Sequence, residues 1–212
     1  MDASFWHQRW ASNEIGFHGS EANPMLVEHF SSLNLNKGER IFLPLCGKTL
    51  DITWLLAQDL KVVGAELSEI AIQQLFAELG VTPTISEWSK GKHYRAENLD
   101  IYVGDFFAMQ AQTLGHVDAI YDRAAMVALP ESMRLQYTTH LMALTARAPM
   151  LLISFEYDQR LMPGPPFSVT EKEITAHYQP NYQLQQLAAK EVPGGLKGKC
   201  PARECVWLLA SK

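Results

Sequence analysis

Cysteine is scarce and no apolar run is long in this chain of 212 residues. The three cysteines, Cys46, Cys200 and Cys205, are an odd number with no Cys-x-x-Cys pair and no histidine at zinc-ligand spacing. That pattern argues against a disulfide framework and against a structural zinc site. The seven histidines are scattered and form no His-Glu-x-x-His, so no metal is expected. No stretch approaches the roughly 18 apolar residues of a membrane span. The opening MDASFWHQRWASNE mixes charges and aromatics where a secretory signal would be apolar. Blocks of Lys and Arg are missing too, and the formal net charge is −5. Neither nucleic acid nor an anionic membrane surface therefore has an electrostatic footprint here. These absences leave a cytoplasmic protein, a monomer by default, whose partner is a small molecule.

What is present is the composition of a large core. Hydrophobic residues make up 47% of the chain, and a chain of this length buries roughly 70% of its unfolded surface on folding. The Pro/Gly-rich stretch Pro163 to Pro166 lies between periodic segments and reads as a loop rather than a linker. Residues 1–212 are expected to form one domain, with 1–35 as a helical lid segment over the ligand site. In that segment Phe5 and Arg9, and Trp6 and Trp10, stand at i, i+4 on a short helix. Aromatics invested so near a terminus suit a segment that closes over a ligand.

Along the chain, strand and helix patterns alternate. Arg40 to Pro44 is a short apolar strand and Leu50 to Ala57 a helix. Lys61 to Glu66 is a second strand, followed by a helix with Ser68 as N-cap, Ile72, Leu75, Phe76 and Leu79 on one face, and Gly80 as its stop. Pro83 to Val103 reads as extended segments broken at Lys90-Gly91-Lys92 and Glu97-Asn98, in the manner of a hairpin. Val117 to Tyr121 is a buried strand, Pro130 to Thr145 a helix, and Met150 to Phe155 another strand. Residues 182–190 and 203–210 supply the closing strands. Such alternation implies an α/β fold with a largely parallel sheet covered on both faces, which binds ligands at the carboxyl ends of its strands.

The loops at that edge hold the candidate chemistry. Gly47, between a strand and a helix, permits close approach of backbone to a ligand. Gly47-Lys48-Thr49 matches the end of a P-loop, but the earlier glycine of that motif would fall on Phe42, inside the strand. Glu66 ends the second strand roughly twenty residues beyond Gly47, where nucleoside-binding folds place an acid for the ribose hydroxyls. The same residue could instead cap the following helix. Gly104 and Asp105 follow the third extended run; the aspartate could accept from an adenine amine or serve only as a turn residue. Arg123, after Asp122, puts a fixed cation at the ligand edge, or pairs with a neighbouring acid.

Taken together, these stretches resemble the thiopurine S-methyltransferase family: Trp6-x-x-Arg-Trp10 with Phe17-His18, Phe42-Leu-Pro-Leu-Cys-Gly-Lys48, Val62-Val-Gly-Ala-Glu-Leu-Ser-Glu69, Asp122-Arg-x-Ala125 and Pro163-Gly-Pro-Pro-Phe167. The resemblance implies a Rossmann-like class I methyltransferase sheet of seven strands, parallel except for one near the carboxyl end, with helices on both faces. It also implies S-adenosylmethionine as methyl donor and a thiol or chalcogen acceptor such as a thiopurine or a selenium or tellurium compound. Carried over residue by residue, it assigns Trp10, Leu45, Gly47, Glu66 and Arg123 to the donor, Gly104 and Asp105 to the neighbourhood of the adenine, and Phe17 to the acceptor. Arg123 is the catalytic candidate, facing either an anionic acceptor or the donor carboxylate. Gly104-Asp105 departs from the serine and hydrophobic residue of animal members. The rivals are a dehydrogenase, which would need Gly-x-Gly-x-x-Gly and a Tyr-x-x-x-Lys pair that the chain lacks, and a non-catalytic protein that sequesters a metabolite or metalloid.

Overall fold

The computed structural model describes residues 3–14, 19 and 21–212. Phe17 and His18 lie outside the described residues. Seven α-helices and nine strands are described, in the order α1 (Ala3–Ala11), α2 (Pro24–His29), β1 (Arg40–Leu43), α3 (Asp51–Leu56), β2 (Lys61–Glu66), α4 (Glu69–Leu79), β3 (Thr84–Trp88), β4 (Gly91–Ala96), β5 (Leu99–Gly104), α5 (Ala111–Leu114), β6 (Ala119–Arg123), α6 (Glu131–Leu144), β7 (Met150–Tyr157), α7 (Glu171–Tyr178), β8 (Tyr182–Glu191) and β9 (Ala202–Ser211).

The strands form one sheet in the order β3-β4-β5-β2-β1-β6-β7-β9-β8. The parallel centre runs from β5 to β7, with Phe42 of β1 in register with Val63 of β2 on one side and Ile120 of β6 on the other. β9 is antiparallel to both β7 and β8, so within the seven strands from β5 to β8 it alone runs backwards, as expected. The strand count differs from seven because β3 and β4 add an antiparallel extension beside β5. The expected single hairpin between Pro83 and Val103 is thus a three-stranded meander. Four of the five residues of β3 are exposed, so the strand carries little of the apolar alternation that identifies one.

Side chains alternate across the sheet with period two. Phe42, Val63, Ile120, Met150 and Leu152 enter one core with Tyr137 and Leu141 of α6 and Ile174 and Tyr178 of α7. Their neighbours Ile41, Leu43, Val62, Leu151 and Ile153 enter the other, with Leu26 of α2, Ile52 and Leu55 of α3, and Ile72 and Leu75 of α4. Both faces of the central strands are therefore dry, which explains the unbroken apolar runs in the sequence. α4 begins where Ser68 Oγ accepts from the Ala71 N–H at 3.4 Å and ends on left-handed Gly80, φ +67°, as its capping pattern predicts. No helix among the described residues is long and apolar enough to cross a membrane.

Candidate active site

Parallel strands end together, so the loops after β1, β2, β5 and β6 meet at one edge of the sheet. There they line a cleft of about 630 Å³, within the roughly 300–1,000 Å³ typical of small-molecule sites. Its floor includes Leu45, Gly47, Glu66, Asp105 and Arg123. Trp6, Arg9 and Trp10 of α1 also line it, as do Phe155, Pro165, Pro166, Leu196 and Lys197.

The β1 loop is shaped by backbone left of its usual range. Leu45 has φ +48° and Gly47 φ +54°, and the Cys46 N–H donates to the Ala65 carbonyl at 3.0 Å, which holds the turn against β2. A Cβ on Gly47 would lie 3.0 Å from Cζ2 of Trp10, so glycine here lets the buried indole settle on the loop. Ala124, at the end of the neighbouring strand β6, is also left-handed at φ +61°. Such a conformation costs a non-glycine residue about 1–2 kcal/mol. Two such residues on adjacent strand ends, both lining the cleft, mark where the fold is held for a ligand.

Glu66 is buried, 6% exposed, and its two oxygens divide their work. Oε2 accepts from the Gly47 N–H and Oε1 from the Ser68 N–H, each at 2.8 Å. Burial pushes its carboxyl above the usual range, while the N–H groups of Ser68, Gly47 and Leu67 pull it back. Each oxygen keeps a further lone pair, so the carboxylate that rigidifies the loop can still accept from a vicinal diol. Burial, and then the Glu66 charge, hold the Cys46 thiol well above its ordinary range, which removes Cys46 as a nucleophile.

Asp105 does what a turn residue does, its Oδ1 accepting from the Phe107 N–H at 2.9 Å, and it lines the cleft as well. Gly104 does not line it. The spacing groups the two, but at Gly104 (φ +151°) a Cβ would meet the Lys90 carbonyl at 2.8 Å and the Trp88 ring at 2.9 Å. Its lack of a side chain serves the β3–β4 turn. Arg123 is half-buried, and its side chain has no hydrogen bond or ion pair among the described residues; the alternative of a neighbouring acid partner is not what those residues supply. Lys48 does have one, Glu78 of α4 at 2.5 Å. It is thereby spent on structure rather than on a phosphate.

Pro165 and Pro166 of the Pro163–Phe167 loop form part of the cleft wall; the sequence marks this loop only as a specific string. The Phe167 N–H donates to the Val127 carbonyl at 2.6 Å, and Tyr157 Oη to the Pro166 carbonyl at 2.6 Å. Behind it Arg134, 2% exposed, donates to the carbonyls of Leu129 and Ser168 and to both oxygens of Glu173. Phe107, Phe155 and Lys197 also line the cleft without having been singled out by sequence. No local spacing announces them, because each arrives from a different element.

The family model described as Thiopurine S-methyltransferase (TPMT) matches residues 1–200. The chain belongs to the thiopurine S-methyltransferase family. It is similar to the thiopurine S-methyltransferase of Xanthobacter autotrophicus, 52% identical and covering 99% of each chain. It is equally similar to that of Teredinibacter turnerae, 52% identical, covering 99% of this chain and 98% of the relative. Among solved structures the fold resembles a Burkholderia thailandensis 1,6-didemethyltoxoflavin-N1-methyltransferase with bound S-adenosylhomocysteine. That likeness has a TM-score of 0.66 at 14% identity and covers 99% of this chain and 87% of the other. The expected family and class I methyltransferase fold are thus found, on a sheet two strands wider than expected.

Proposed function

We propose that this S-adenosylmethionine-dependent methyltransferase methylates the sulfur of thiopurines and related aromatic thiols, with selenium and tellurium compounds as acceptors of the same chemistry. The observation that carries the reading is the convergence of Trp10, Gly47, Glu66, Asp105 and Arg123 on one cleft at the strand ends. That set suits the donor part by part: an acid for the ribose diol and aromatic faces for a sulfonium cation. When bound, S-adenosylmethionine supplies a methyl group already activated on sulfur: the acceptor sulfur bonds to the carbon, the sulfonium–methyl bond breaks, and its electron pair returns to the donor as S-adenosylhomocysteine.

The remaining catalysis belongs to the chain. Glu66 holds the ribose with its free lone pairs, and Asp105 stands for the adenine. Trp10, pinned on Gly47, excludes water from the transfer path, and residues 1–35 act as a lid over the donor. Arg123, whose side chain has no carboxylate partner among the described residues, favours the ionised acceptor sulfur, whose proton goes to solvent before transfer. No strong general base is then needed, because positioning and desolvation carry the displacement. We read the chain as a single-domain cytoplasmic monomer that acts on a small-molecule acceptor, without nucleic-acid or membrane partners.

The experiment is calorimetry with S-adenosylhomocysteine, then methyl transfer to 6-mercaptopurine and to selenite, on wild type and Arg123→Met. Micromolar binding with transfer, and turnover reduced at least tenfold in the variant, is the expected outcome. Folded protein that binds no S-adenosylhomocysteine would sink the reading.

A further inference from the structure

Methyl transfer to a lone thiolate calls for one cation near the sulfur, yet the cleft is lined by more. Arg9, Lys48, Arg123 and Lys197 all reach its wall. Lys48 is neutralised by Glu78, and Arg123 is assigned to the acceptor sulfur above. Lys197 has no carboxylate partner among the described residues, and Arg9 has only the solvent-exposed Glu14 at 3.3 Å.

Neither is fully accounted for by the protein. Arg9 places its guanidinium carbon 4.8 Å over the Phe5 ring and one nitrogen 3.3 Å from the half-exposed Glu14. Its Nε is buried with no hydrogen-bond partner among the described residues, and a buried donor left unpaired costs about 1–3 kcal/mol. Lys197 Nζ donates to the Pro165 carbonyl at 2.8 Å, and no carboxylate among the described residues pairs with it. Burial, and then the charges of Arg9 and Lys199, hold the Lys197 ammonium below its ordinary range. Arg9 and Lys197 line the same cleft and lie close enough to repel. The acids that line the cleft, Glu66 and Asp105, are both occupied by backbone N–H groups.

The position of Lys197 is built into the β8–β9 connection. The residue is left-handed at φ +54°, between left-handed Gly195 and Gly198. A Cβ on Gly195 would lie 2.6 Å from the Cys200 carbonyl oxygen, and the Leu196 N–H donates to that same oxygen at 2.8 Å. The tip is thus closed into one shape, which carries the ammonium onto the Pro165–Pro166 wall.

Two cations facing one cleft repel, and an anion between them removes both the repulsion and the unpaired donor. We propose that Arg9 and Lys197 form a counter-ion subsite for a second, carboxylate group on the acceptor, so that the substrate class is aromatic thiols bearing a carboxylate. The inference rests on reading the cleft as the acceptor side of a methyl-transfer site.

The test compares 3-mercaptobenzoate with its neutral isostere 3-mercaptobenzamide, binding each by calorimetry to the full chain loaded with S-adenosylhomocysteine. The acid is expected to bind at least tenfold tighter than the amide. Lys197→Met should bring the two affinities together, while Lys197→Arg keeps them apart. Because the ratio is read within each variant, a general loosening of the Pro165 wall does not imitate the effect. Equal affinities in the wild type, no binding of the acid, or a ratio unchanged in Lys197→Met overturns the subsite. Methyl transfer is measured on the same samples. A ratio that behaves as expected without transfer to either compound supports the subsite and counts against the thiol-methylation reading instead.

Discussion

At Glu66 each carboxylate oxygen already accepts one backbone N–H, from Gly47 and from Ser68, so the proposed ribose contact would use only the lone pairs that remain. Glu66→Gln keeps the shape but loses the charge and turns a donating NH2 toward one of those N–H groups. Affinity for S-adenosylhomocysteine is expected to fall by about 1.5–3 kcal/mol, roughly ten- to a hundredfold, by calorimetry. Since burial raises the Glu66 carboxyl and its ionised form is the better acceptor, wild-type affinity should weaken as pH falls through that raised value. A flat profile in wild type, or one shared with Glu66→Gln, removes Glu66 from the donor site. The position of this acid was legible from its place at a strand end. Its second role, holding the Gly47 loop, was not, because the bond spans nineteen residues that only the parallel pairing of β1 with β2 brings side by side.

Elements whose signals are local were read correctly. α4 announced both ends through Ser68 and Gly80, and β2 its whole length through an apolar run. α7 was not foreseen: its eight residues have only Ile174 and Tyr178 buried, too few for a periodic stripe. Yet this helix carries Glu173, which pairs with Arg134 of α6 at 2.6 Å. That ion pair fastens α6 and α7 to the segment behind the Pro163–Phe167 wall. Removing the buried Arg134 leaves the partly buried Glu173 with only His177 at 3.5 Å and leaves two carbonyls without their donor. Arg134→Met is therefore expected to lower unfolding stability by about 3–5 kcal/mol in urea titrations. A loss under 1 kcal/mol would show that Glu173 finds water instead. Acceptor affinity should fall with it, since Arg134 also holds the Leu129 and Ser168 carbonyls.

For the whole molecule, one buried acid ties stability to pH. Asp122 is fully buried beneath the cleft, accepting from Tyr137 Oη at 2.7 Å and from the Met126 N–H at 3.1 Å. Burial raises its carboxyl from 3.8 to about 6, against the pull of those donors. Between these values the folded chain holds a proton that the unfolded chain releases. The Asp122 contribution to stability therefore declines as pH rises from about 4 to about 6, by on the order of 2–3 kcal/mol. Asp122→Asn should abolish that decline. The measurement is the difference in unfolding free energy between wild type and variant across pH 4–7, and parallel profiles would show that Asp122 titrates normally. No sequence pattern marks this acid as different from any other, since its shift comes from the core packed around it.

The sequence by itself determined the alternation of strands and helices, the edge of the sheet where ligands bind, and the family, because periodicity, caps and short specific strings are local properties of the chain. Tertiary structure alone decided that the bare Cα of Gly104 faces the β3–β4 turn, that Lys48 is paired, and that the Arg123 side chain has no partner among the described residues. It also decided that Arg9 and Lys197, 188 positions apart in the sequence, share one cleft. These are questions of which groups from distant elements come within a few ångströms, and spacing along one chain carries no information about that distance.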